Sequence, residues 1–215
     1  MLENLRFYIV YLALLSGIFG LIFWHKLPNN KAKLILFSIW LSVITEVVGK
    51  NFTAWTGLLN YCVFNFYILV QFIIYIVILK TLLKRISYKN LAAFFLILFL
   101  ICYPLNYFFW QNQFGQILTY SYAMGVIITI ILSSLYLFEL FSSNLVLNYS
   151  KSIFFWFILG ILILNVPFLP FMLSLDWFLI DYNSSIYGLI LFFLNLLMHF
   201  CFSIGFICSE KRYNY

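Results

Sequence analysis

With 215 residues, 66% of them hydrophobic and only 8% charged, the chain carries more apolar side chains than one soluble core of its size can enclose. The net charge of +6 would suit nucleic acid, but ten of the twelve Lys and Arg residues follow the parity of the polar breaks instead of forming one patch. Composition and charge therefore exclude a soluble domain and a nucleic-acid partner, and point to an all-α polytopic membrane protein: one transmembrane domain, residues 1–215, built as a seven-transmembrane helix bundle in the lipid bilayer.

Seven apolar stretches are expected to span, at about 5–24, 34–49, 59–79, 91–109, 116–138, 153–173 and 186–208, since roughly 20 helical residues cross a hydrocarbon core. The first follows Met-Leu-Glu-Asn-Leu-Arg-Phe without a small-residue cleavage site, and is read as a retained helix rather than a signal peptide. Its Ala13/Gly17 and Ser16/Gly20 pairs allow close helix approach. The second span is short, with Ser38, Ser42, Thr45, Glu46 and Gly49 on one arc of about 100°. Glu46 is the carboxylate set well inside a span, which suits a ligand, cation or proton site; a structural ion pair with Lys50, one turn on, is the competing reading.

The third span contributes Asn65, Tyr67 and Gln71, and the fourth Asn106 near its outer end. The fifth bears Tyr122, Gly125, Thr129, Ser133 and Tyr136 on one face, with Glu139 at its inner boundary, solvated or paired with basic loops. On the sixth, Asn165 precedes Pro167 and Pro170, where missing amide hydrogens are expected to bend the helix and open a pocket wall. The break 174–185, alternating acids with Trp177, Phe178, Leu179 and Ile180, reads as an interfacial turn or lid. The seventh span carries Gly188, Asn195, His199 and Ser203.

Lys26, Lys31, Lys33, Lys80, Lys84, Arg85, Lys89, Lys151, Lys211 and Arg212 fall on one side, against Arg6 and Lys50 on the other. This bias sets the N-terminus outside and the C-terminus in the cytoplasm of a cell membrane, the bacterial inner membrane being the expected one. Cys62, Cys102, Cys201 and Cys208 have neither metal-ligand nor Cys-x-x-Cys spacing; they read as small apolar residues, with a Cys62–Cys102 bridge as the alternative. No metal or cofactor motif is present, so none is expected. Asn51-Phe-Thr53 and Asn183-Ser-Ser185 are glycosylation sequons expected on outside loops.

Buried amides in an apolar medium must find partners, and those partners are neighbouring helices, water or a ligand. Glu46, Asn65, Gln71, Asn165 and Asn195 are the candidate ligand contacts, in the outer half between the second, third, sixth and seventh helices, with His199 as the floor. Glu46, the Asn65-Phe-Tyr67 and Gln71 positions, and the aromatic seventh helix with Asn195 and His199 resemble small bacterial seven-helix proteins similar to the membrane sensor modules of histidine kinases. About seven residues follow the last span where such kinases continue, so the resemblance implies a stand-alone input or accessory protein.

Three functions follow from these residues. The first is a membrane sensor or accessory protein with an outward-facing polar pocket for a small ligand or partner helix, passing its signal to a partner protein. The second is a small-molecule transporter with a three-plus-one-plus-three helix arrangement, although little beyond Trp40 and Trp156 aligns between the halves. The third, an intramembrane enzyme, has the weakest support, because Glu46 and His199 stand without a nucleophile or metal set. Homo-oligomerisation is compatible with all three.

Overall fold

A computed structural model describes residues 8–27, 30–111, 115–173 and 184–213. Among these, seven α-helices run in order: α1 Ile9–Ile22, α2 Asn30–Thr56, α3 Tyr61–Leu82, α4 Ile86–Leu105, α5 Thr119–Phe141, α6 Ile153–Leu173 and α7 Ser184–Cys208. Short 3-10 turns lie at Trp24–Lys26, Asn144–Lys151 and Lys211–Tyr213. Six helices are long and apolar enough to cross a membrane; α1 is apolar but 14 residues long, about 21 Å of rise.

The exposed side chains support the same environment. Phe94, Ile97 and Ile101 form an outward stripe along α4, and Tyr11, Leu15, Ile18 and Ile22 one on α1, whereas Ser16, Asn65, Thr129, Ser133, Asn165 and His199 are buried. Water would penalise that outward surface, and acyl chains accept it. The chain is a multi-pass membrane protein of helical class.

The chain divides into two compact units, residues 1–40 with 137–215, and residues 41–136. In the first, α7 packs against both α1 and α6. The small face expected on α1 is observed: Ala13, Ser16, Gly17 and Gly20 are all buried. On α6, a methyl group at Gly160 would lie 2.7 Å from the Phe202 ring and 3.1 Å from the Met198 carbonyl of α7, so the helices touch where the side chain is missing. Phe157 stacks on Phe202 beside this point, centroids 5.3 Å apart.

In the second unit, the α2–α3 turn passes through Gly57 at a φ of 73°, a conformation that costs glycine little. Asn60 closes it by donating to the Gly49 carbonyl at 2.9 Å. The core is centred on Phe72, which is fully buried with Tyr75, Phe99 and Tyr122 edge-on at 5.5–6.0 Å. Tyr122, Gly125, Thr129, Ser133 and Tyr136 are all buried, as the face pattern of α5 anticipates. Pro104 lies inside α4, which then widens into a π-helical turn at Asn106–Trp110, where the Gln111 amide reaches back to the Asn106 carbonyl at 2.9 Å.

Two expectations differ. Helix α2 is not short: its backbone continues to Thr56, because hydropathy falls at Lys50 while helical hydrogen bonding does not require apolar side chains. The Asn51 sequon therefore lies on a helix rather than a loop, with the Asn51 amide bonded to the Val47 carbonyl at 2.8 Å. Helix α6 runs through Pro167 and Pro170 to Leu173, the bounds expected for the sixth span. The break 174–183 and Asn183 lie outside the described residues.

Candidate functional site

The six candidate ligand contacts divide between the units: Glu46, Asn65 and Gln71 in residues 41–136, and Asn165, Asn195 and His199 in the other.

Asn65 is buried on the first turns of α3, and its side chain works as a clamp. Its amide nitrogen donates to the Gln116 carbonyl at 3.1 Å, and its oxygen accepts from the Leu118 amide at 2.9 Å. Its own carbonyl accepts the Tyr103 hydroxyl at 2.7 Å. This one residue thereby fixes the segment entering α5 and a side chain of α4. Beside the π-turn lies a second polar cluster: Asn106 donates to the Gln111 side-chain oxygen at 3.0 Å and the Ser121 hydroxyl at 2.8 Å, and Gln111 donates to the Thr119 hydroxyl at 2.9 Å. The buried Asn106 Oδ1 has no protein partner.

Glu46 has a different setting. It is half-buried on α2, one turn past Ser42, whose side chain shares a hydrogen bond with the Tyr67 hydroxyl of α3; Glu46 is close enough to act on that hydroxyl through charge. One turn beyond Tyr67, Gln71 donates to the Tyr75 hydroxyl at 2.6 Å. Ser42, Glu46, Tyr67, Gln71 and Tyr75 therefore form a polar track between two apolar helices, with a carboxylate on it. Tyr67 and Tyr75 were not singled out as site residues by the sequence, although the spacing 67, 71, 75 places all three on one face of α3. Lys50, one turn from Glu46, is exposed.

The other three candidates belong to the first unit. Asn165 and Asn195 donate to carbonyls one turn back, Ile161 at 2.7 Å and Leu191 at 2.8 Å. His199 is buried; its Nδ1 lies 2.8 Å from the Ser16 hydroxyl of α1, and Ser16 also donates to the Ala13 carbonyl at 3.0 Å. Its Nε2 is buried without a protein partner, and the ring stands edge-on to Phe202 at 5.6 Å. The partner role of Ser16 was hidden in the sequence by its place in a small-residue pattern that packing alone explains.

Cys62, Cys102, Cys201 and Cys208 are free thiols. Glu210, outside the spans, binds Lys151 at 3.0 Å and Arg212 at 2.8 Å, and the Lys151 hydrogen bond, with Arg212 adding to it, holds its carboxyl below the usual carboxylate range. Fold and surface define a helical, multi-pass integral membrane protein. No family model, curated protein or solved structure matches the chain.

Proposed function

We propose that the chain is a membrane sensor or accessory protein, N-terminus outside and C-terminus in the cytoplasm, in which the Glu46 track receives a cationic or hydrogen-bond-donating group of a small ligand or a partner helix. The observation that supports this is the half-buried Glu46 carboxylate beside the Ser42–Tyr67 pair, within an otherwise uncharged stretch, residues 34–49. A charge at that depth is costly unless matched, so it is retained where something cationic or protic meets it. The reading carries over the resemblance to sensor modules, and it keeps Asn65 as a positioning residue rather than a ligand contact. Asn165, Asn195 and His199 remain proposed contacts on the other unit.

The test compares wild type with Glu46→Gln at equal membrane insertion. Loss of a partner protein that co-purifies with wild type, with no substrate flux by either form in proteoliposomes, supports the sensor reading. Flux by wild type that Glu46→Gln abolishes replaces it with the transporter reading. If Glu46→Gln and Lys50→Gln lower stability equally and change nothing else, Glu46 is the structural partner of Lys50.

A further inference from the structure

One end of the first unit gathers basic side chains of four chain segments. A methyl group at Gly20 would meet both Leu36 and Phe206, which puts the end of α1, the start of α2 and the end of α7 together. Lys26 confirms the junction by donating to the Ile207 carbonyl at 2.6 Å. The Glu210 amide bonds the Lys151 carbonyl at 3.0 Å, and a methyl group at Gly205 would lie 2.9 Å from Trp156 Cβ, which adds the 144–151 turn and the start of α6.

Among the described residues, this end holds Lys26, Lys31, Lys33, Lys151, Lys211 and Arg212 against two carboxylates, Glu139 and Glu210. Both oxygens of Glu210 are engaged, one by Lys151 and one by Arg212. The bond from Arg212 uses Nε, so its two terminal nitrogens remain able to grip a second anion. Lys33 and Lys211 are exposed. Lys33 lies 5.4 Å from the ring centre of Trp24, and Arg212 4.8 Å from that of Tyr213, aromatic company typical of the headgroup level.

We infer that this end, where α1 and α7 finish and α2 and α6 start, binds the phosphate of anionic lipid headgroups through Lys33, Lys211 and Arg212. The lipid is favoured over a soluble phosphate because the basic groups sit at the rim of apolar helices, where acyl chains lie alongside them. Each basic group near an anionic surface strengthens binding about fivefold, so removing three should weaken it on the order of a hundredfold.

The experiment measures binding of dioctanoyl phosphatidylglycerol, dioctanoyl phosphatidylcholine and inorganic phosphate to the detergent-purified full chain by native mass spectrometry and thermal shift. Four forms are compared: wild type; Lys33→Gln/Lys211→Gln/Arg212→Gln; the charge-preserving Lys33→Arg/Lys211→Arg/Arg212→Lys; and Lys80→Gln/Lys84→Gln/Lys89→Gln, which removes equal charge from the other unit. Expected are phosphatidylglycerol binding at least tenfold above phosphatidylcholine in wild type, its loss only in the first triple variant, and weakening as salt rises. Equal binding of the two lipids, unchanged binding by the first triple variant, or loss in the charge-preserving form would overturn the inference. So would an equal fall in the variant of the other unit, which means diffuse charge, or equal binding of inorganic phosphate, which means a soluble ligand.

Discussion

Asn65→Ala should be among the most destabilising single changes in residues 41–136, and the structure says why. The substitution deletes two hydrogen bonds, to the Gln116 carbonyl and from the Leu118 amide. Gln116 is exposed, so its carbonyl finds other donors, but Leu118 is fully buried and its N–H is left stranded. The loss combines about 1 kcal/mol for the broken bond with about 1–3 kcal/mol for the unpaired donor, roughly 2–4 kcal/mol in all. Side-chain bonds between membrane helices average only about 0.6 kcal/mol, so a value near 3 would mark the clamp on the backbone as the cause. Asn65→Asp keeps an acceptor for Leu118 and should recover about half. Unfolding of the purified protein in mixed micelles gives both numbers. A loss below about 1 kcal/mol for Asn65→Ala, or an Asp variant no better than Ala, would refute the clamp.

Other substitutions probe packing and charge elsewhere. Gly125→Ala, whose methyl group would fall on the Phe72 ring, should cost about 1–3 kcal/mol by overpacking, and Phe72→Leu in the same chain should relieve part of it; additive losses in an unfolding cycle would contradict the contact. Ser16→Ala should destabilise by about 1–3 kcal/mol because it leaves both nitrogens of buried His199 unpaired, while Ser16→Ala/His199→Phe should be milder; a harsher double variant in the same unfolding assay would oppose this. Glu210 has a lowered folded pKa, so its contacts are fully present above its ordinary value of 4.5 and fade as pH falls through the lowered one. Protection factors at residues 209–213, taken against the intrinsic exchange rate at each pH, should accordingly fall in acid, and Glu210→Gln should show that lower protection already at pH 7.

Apolar runs and the small face of α1 made the helical membrane class readable, because a bilayer leaves the chain few alternatives and hydropathy reports burial in lipid directly. The buried stripe of α5 was readable for the same reason, from spacing alone. Polar partners were not. Asn65 looks like Asn195 in a sequence, yet one holds a distant backbone segment and the other its own helix, a difference set by tertiary placement. The cluster of Gln111, Thr119 and Ser121 arises from the π-turn after Pro104, and no periodic pattern announces a widened turn. Helix α2 outran its hydropathic span because a helix ends where its hydrogen bonds do, and polar residues continue those as well as apolar ones.

The most direct test of the proposed role of Glu46 is a thermal-shift screen of organic amines and other cations on purified wild type, Glu46→Gln and Tyr67→Phe. A ligand at 100 times its Kd adds about 2.7 kcal/mol to stability, a shift of a few degrees for a chain of this length. The account predicts compounds that raise the Tm of wild type and fail to raise that of Glu46→Gln, with Tyr67→Phe between the two. Shifts of equal size in all three forms would contradict it, and so would a cationic library that shifts none of them.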